Sequence, residues 1–201
     1  EGPALVLVHG YLGGARMWDG QFAAFAARFR CIAPNLAGFG ASSHLEAPES
    51  IDGHARLVFE TLDALGVDRF RLLGHSMGGM LAQVFASKHE HLCAGLILSC
   101  THKGYGKHID TPLDDKFRQR LKERQNMNNY DFGKTRVNKM LPDKISTKTH
   151  EFLSIIAGEM SLEGIKCSSM AIQYLDTSKY LEKLNVPTLI ITSEKDIVVK
   201  A

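Results

Sequence analysis

The sequence predicts an α/β fold: a mostly parallel sheet with helices on both faces, interrupted by a helical insertion. Three observations predict it. Short apolar runs without alternation, such as Ala4-Leu5-Val6-Leu7-Val8, have the pattern of strands covered on both faces. These runs alternate with stretches whose apolar residues recur at helical spacing, and that alternation implies parallel strands joined by right-handed crossovers. The alternation then stops. From His102 to about Ser178 no strand-like run occurs, and the rhythm resumes only with Val186–Thr192.

The elements follow in order. A first strand lies within Pro3–Val8 and stops at His9-Gly10. Trp18, Phe22, Phe25, Ala26 and Phe29 are spaced for a helix over Trp18–Phe29. Cys31–Pro34 gives a second strand, closed by a glycine-rich loop from Gly38 to Ser43. Ser50 is placed to cap a helix that runs to about Leu65 and stops at Gly66. Phe70–Leu73 is a third strand, Ser76–His89 a helix, and Leu96–Leu98 a fourth strand. Inside the insertion, helices are expected at Asp114–Met127, Ser146–Met160 and Leu162–Leu175. The organisation expected is an α/β core over 1–101, a helical cap over 102–178 above the sheet, and a continuation of the core over 179–201.

Composition bounds the function. The 201 residues, 44% hydrophobic and 23% charged, suit one globular domain with a real core. A net charge of +2 gives no support for a nucleic-acid partner. No apolar run approaches the roughly 20 residues that span a bilayer, so no membrane partner is expected. Glu1-Gly2-Pro3 opens no basic-then-apolar leader. Cys31, Cys93, Cys100 and Cys167 form no Cys-x-x-Cys pair, and no histidine cluster has zinc spacing. Reduced thiols in a cytoplasmic protein with neither metal nor cofactor are therefore expected.

Gly74-His75-Ser76-Met77-Gly78 fits Gly-x-Ser-x-Gly and lies directly between a strand and a helix, the context that pattern needs. Glycines on both flanks let two backbones approach where a Cβ would clash. The turn lifts the serine above the sheet edge, and the following helix N-terminus favours negative charge. A glycine-rich turn that merely packs helix on strand is the plain structural alternative. His9-Gly10-Tyr11-Leu12-Gly13-Gly14 also follows a strand. An acyl-transfer enzyme needs two backbone N–H groups aimed at the developing oxyanion. One comes from the residue after the nucleophile, here Met77, and the other from a loop after a neighbouring strand, here Tyr11. His9 itself reads as a residue that orders the loop and moves no proton.

These segments, with Asn35-Leu36-Ala37-Gly38-Phe39-Gly40-Ala41-Ser42 and Val186–Asp196, stand in the order and spacing of the α/β-hydrolase superfamily. The chain resembles its esterase, enol-lactonase and cofactor-free haloperoxidase branch, and the resemblance implies a small-molecule ester or lactone as its partner. The resemblance implies that Ser76 is the nucleophile, that Met77 and Tyr11 give the oxyanion N–H groups, and that Asp196 orients the base. Some members carry the acid after the preceding strand, but here Leu98 is followed by Ser99-Cys100-Thr101, without a carboxylate. Haloalkane dehalogenases fit less well, because they need a carboxylate where Ser76 stands. Thioesterase, carbon–carbon hydrolase, perhydrolase and haloperoxidase activities share the same site, and a non-catalytic relative that binds a ligand or partner is the reading from another class.

Two departures matter. Asn35 stands where many members have Asp, which changes a loop hydrogen bond. The second concerns the base. The family order is Ser, acid, His, yet all nine histidines precede Asp196. A serine hydroxyl is a poor nucleophile until a base takes its proton. The expectation is therefore a fragment truncated at both ends, lacking the catalytic His; among the histidines present, His102 is the best stand-in. Residues 103–148 hold twelve Lys plus Arg against six Asp plus Glu, leaving the rest of the chain at −4. Such a cap could attract a carboxylate-bearing substrate, although Arg118, Arg120, Lys122 and Arg124 on one surface helix read more simply as a solvated face.

Overall fold

In the computed structural model, which describes residues 2–42, 48–141 and 145–199, the first strand, β1 (Ala4–Val8), is buried along its whole length. Its side chains alternate between two cores, as a pleated strand with both faces covered requires. Leu5 and Leu7 pack with Trp18, Met17, Phe22 and Phe29 on one face. Val6 and Val8 join the larger core on the other, with Val58, Leu62, Leu81 and Phe85. Ser43, the last residue of the expected glycine-rich loop, lies outside the described residues, as does 142–144 of the charged insertion.

A 3₁₀ turn (Ala15–Trp18) leads into α1 (Asp19–Phe25), which ends four residues before the expected Phe29. The Arg28 and Phe29 amides both close on Phe25 O. That turn delivers Arg30 to Ala4, where β2 (Arg30–Ile32) pairs with β1. Phe29 thus serves the core from the turn and not from a helix. Helix α2 (Ile51–Ala64) is capped as expected, with Ser50 Oγ accepting the Gly53 N–H at 3.1 Å. Gly66 follows it at φ +64°, the left-handed stop that glycine adopts without strain. Buried Ile51, His54, Ala55, Val58 and Leu62 form its inward stripe.

Strand β3 (Phe70–His75) and strand β4 (Cys93–Ser99) both exceed the runs expected from apolar residues alone. Between them α3 (Met77–Lys88) is buried from Met77 through Ala86. Every pairing is parallel, and the sheet order is β2-β1-β3-β4-β5, with β5 (Thr188–Ile191) at an edge where all four residues are exposed. The chain steps from β1 outward to β2, then crosses to the other side of β1 for β3. In an open sheet such a reversal leaves a crevice at the carboxyl ends of the strands.

Among the described residues four helices lie between β4 and β5 before a short fifth, α8 (Ser178–Leu181): α4 (Asp115–Asn126), α5 (Asn129–Met140), α6 (Thr147–Gly158) and α7 (Leu162–Tyr174). Three coincide with the expected helices. Helix α5 is an addition, since its Asn, Asp, Lys and Thr content gives a weak apolar stripe. It is started by Asn128 Oδ1, which accepts the Asp131 N–H at 2.9 Å. It is held against α6 at backbone range, because a Cβ on Gly133 would collide with Ser154 O, and one on Gly158 with Asn129 O. All four cysteines are free thiols, with Cys93 and Cys167 buried. No helix among the described residues is long and apolar enough to cross a membrane.

Candidate active site

Strands β1, β3, β4 and β5 all run the same way, so the loops that follow them meet at one edge of the sheet. Ser76 follows β3 there at φ +53°, ψ −119°. With Leu12 (φ +66°) and Cys100 (φ +44°) it completes the set of non-glycine residues at positive φ among those described, and each of the three follows a strand at this edge. Such strain persists where surrounding contacts over-determine it, and it concentrates at functional sites. Here the contacts are explicit. A Cβ on Gly74 would collide with Gly78 O, and one on Gly78 with Val8 O, so the turn closes only with glycine at both flanks. Ser76 N donates to Ser99 O at 2.9 Å, and Thr101 Oγ1 donates to Ser76 O at 2.6 Å. The hydroxyl-bearing residue is thus tied to β4 from both sides.

The loop after β1 runs beside it. A Cβ built on Gly10 would stand 3.0 Å from Ser76 Cβ, which brings the Gly10–Tyr11 peptide next to the serine. Met77, first residue of α3, offers one of the N–H groups that a helix leaves without an internal partner. His9 is fully buried. Its Nε2 accepts the Leu36 N–H at 3.0 Å, so the proton of the neutral ring sits on Nδ1 and is donated to Gly10 O at 2.9 Å. Burial holds its pKa down at about 4, outweighing the Gly10 bond. The ring orders the loop, as its place in the sequence suggests. Asn35 does make a loop bond, its Oδ1 accepting the Ala15 N–H at 2.8 Å.

Asp196, half-buried beyond β5, accepts the Val198 and Val199 N–H groups on Oδ1 at 2.8 and 2.9 Å. Burial raises its carboxyl, but the Val199 and Val198 donors, the Cys100 thiol and His75 outweigh that and hold it below the ordinary carboxylate range. Its charge is felt in turn by His75, whose pKa is lowered by burial against the opposing pull of Asp196 and Ser99. The four residues expected at the site therefore all reach one sheet edge. No histidine nitrogen among the described residues is hydrogen-bonded to the Ser76 hydroxyl. His75 Nδ1 faces Ser99 Oγ at 3.3 Å, and His102 Nδ1 accepts the Gly104 N–H at 3.1 Å. A neutral His102 so bonded carries its proton on Nε2, the wrong tautomer for a base acting through that nitrogen. Burial, with Lys116 nearby, also lowers its pKa against the Gly104 bond.

Two cavities meet at Ser76. One, about 220 Å³, extends under α5 and α6 between Val137, Met140, Leu153 and Ile156. The other, about 260 Å³, lies toward α4 and is bordered by His102, Tyr105, Lys116 and Arg120. Tyr11, Leu12, Ser76 and Met140 border both. Among the described residues no group of three His, Cys, Asp or Glu side chains is placed to hold a metal ion.

A family profile described as alpha/beta hydrolase fold matches residues 3–162. The chain belongs to the α/β-hydrolase fold family. An uncharacterized protein of Mycobacterium tuberculosis is 38% identical over 98 residues, and haloalkane dehalogenase 2 of Mycobacterium bovis is 35% identical over 104. These matches cover 49% and 50% of this chain but only 29% and 35% of the relatives' own lengths. Bromoperoxidase from Bacillus anthracis superposes with TM-score 0.81 at 26% identity, over 96% of this chain and 74% of that one. The enol-lactonase from Burkholderia xenovorans superposes with TM-score 0.83 at 20% identity, over 96% and 73%, a likeness of fold.

Two residues of this α/β-hydrolase site had no role in the sequence reading. Thr101 fastens the elbow from β4. Arg136 lines the cavity under α5, buried to 6% exposure. The signal for Arg136 was a cation inside an apolar stripe, with Phe132, Gly133 and Val137 buried around it. It was illegible because α5 itself was not expected. Arg120 is the corresponding correction to the solvated-face reading of α4, since its guanidinium carbon sits 5.0 Å from the Tyr11 ring centroid.

Proposed function

We propose that this α/β-hydrolase is a serine hydrolase that cleaves a carboxylic ester or lactone through an acyl-enzyme on Ser76. The observation that carries it is the strained Ser76 elbow with the Gly10–Tyr11 peptide packed beside it. Ser76 Oγ attacks the ester carbonyl while the Tyr11 and Met77 amides receive the oxyanion. Each such donor is worth roughly 3 kcal/mol in the transition state. Asp196 orients the base that takes the serine proton and passes it to the leaving alkoxide. Water then repeats the sequence on the acyl-enzyme and releases the acid. The dehalogenase relative does not carry its halide chemistry over, because a hydroxyl stands at the elbow. Peroxidase-type chemistry would use the same nucleophile and oxyanion donors.

The test is fluorophosphonate labelling and ester hydrolysis by the protein as expressed from its gene, read as intact mass and labelled peptide. The expected result is one adduct on Ser76, absent with hydrolysis in Ser76→Ala, and a rate unchanged in His102→Ala. Hydrolysis retained by Ser76→Ala overturns the proposal and leaves a binding protein on a hydrolase scaffold.

A further inference from the structure

The wall of the cavity under α5 and α6 carries a charge that its apolar neighbours do not explain. Arg136 sits in the buried stripe of α5, and its Nε has no hydrogen-bond partner among the described residues. A buried guanidinium is stable where its donors are matched by acceptors and its charge is balanced. Neither condition is met here. Its Nη1 donates to Glu123 Oε2 at 2.7 Å, but the same carboxylate also serves Lys139, whose Nζ is 2.6 Å from Oε1. Arg120, over the Tyr11 ring, adds a second guanidinium with no carboxylate within ion-pair distance among the described residues; burial, and after it the Arg120 charge, pull the Arg136 pKa down against Glu123. Glu123 thus serves both Arg136 and Lys139 while Arg120 is left without a carboxylate, and the two guanidinium groups border the two cavities that meet at Ser76, Arg136 the one under α5 and Arg120 the one toward α4.

We propose that Arg136, backed by Arg120, forms an anion subsite, and that the substrate is an ester or lactone bearing a carboxylate on the portion that fills this cavity. The inference rests on the hydrolase function proposed above and names its substrate class. A carboxylate here pairs with the Arg136 guanidinium that lines the cavity, supplying the acceptor charge that Glu123 divides with Lys139, and it lowers the repulsion between the two arginines. Val137, Leu153 and Ile156 cover the methylenes that separate carboxylate from carbonyl. A charge-assisted bond of this kind is about twice as strong as a neutral one, and the enclosed setting keeps it from being screened.

The experiment separates the subsite from the chemistry by using Ser76→Ala, which cannot turn over. Monomethyl glutarate and dimethyl glutarate, nearly equal in shape and differing by one charge, are titrated into it by calorimetry. The monoanion should bind about tenfold more tightly than the diester. Adding Arg120→Gln, which changes a half-exposed side chain, should cut that preference to about threefold. Adding Arg136→Lys, which keeps a charge for Glu123 but not the planar guanidinium that can serve Glu123 and a ligand at once, should lower it as well. Equal affinities, a preference indifferent to both substitutions, or no binding of the monoanion each overturn the subsite. Fluorophosphonate labelling of the unsubstituted protein reports the nucleophile independently, so failure of either proposal is recognised without the other.

Discussion

Thr101 donates its hydroxyl to the carbonyl of Ser76 across 2.6 Å, while that same carbonyl accepts the Gly79 and Met80 N–H groups that begin α3. The strained residue is therefore held from β4 and from the helix at once. Thr101 touches the elbow's backbone and not the reacting atoms, so it is a positioning residue. Thr101→Val keeps the shape and deletes the donor, and should lower unfolding free energy by about 1 kcal/mol. Thr101→Ser should recover most of it. Urea midpoints for the three proteins check this; equal midpoints for Thr and Val would show that the bond contributes nothing to holding the elbow.

Stability should fall with acid in a window set by the buried histidines. His9 and His54 have pKa values lowered from 6.5 to about 4, in both cases chiefly by burial. Below pH 6.5 the unfolded chain takes up protons that the folded one refuses, so the stability these rings confer is whole above 6.5 and drains as pH falls toward 4. For His9, fully buried, the cost is roughly 3 kcal/mol once both states are protonated. The melting temperature should be level from pH 8 to 7 and decline steadily from about pH 6.5 to about 4. A melting temperature that stays flat across that window would show that neither ring is held neutral in the fold.

Two glycine-to-alanine changes should act with opposite sign. At Gly133 the new methyl would meet Ser154 O, and α5 and α6 must part to admit it. The loss should be about 1–3 kcal/mol, as for other overpacked contacts. Because both helices line the cavity at Ser76, probe labelling should slow as well. At Gly20, in α1, nothing lies within 4 Å of the added methyl. There alanine should stabilise by about 0.5 kcal/mol through its better helix propensity. Paired thermal melts decide it, and a neutral Gly133→Ala would mean that the helices pack more loosely than their backbones indicate.

The sequence by itself determined the elements whose signals are local. The unbroken apolar run of β1, the Ser50 cap, the Gly66 stop and the flanking glycines of Ser76 each act within a few residues, so each could be read without knowing what packs against it. The loops that carry Tyr11, Ser76, Met77 and Asp196 follow from the same rule, because parallel strands place every post-strand loop at one edge. What only the tertiary structure decided depends on partners distant in the chain. Helix α1 stops at Phe25 because β2 must reach β1. Helix α5 forms despite its polar content because Gly133 lets it close on α6. Arg120 lies over Tyr11, about a hundred residues away in sequence, and Arg136 shares Glu123 with Lys139. Periodicity can say that a side chain faces inward. It cannot say which charge it will meet there, and on that meeting depends whether a buried cation is neutralised or left to hold a ligand.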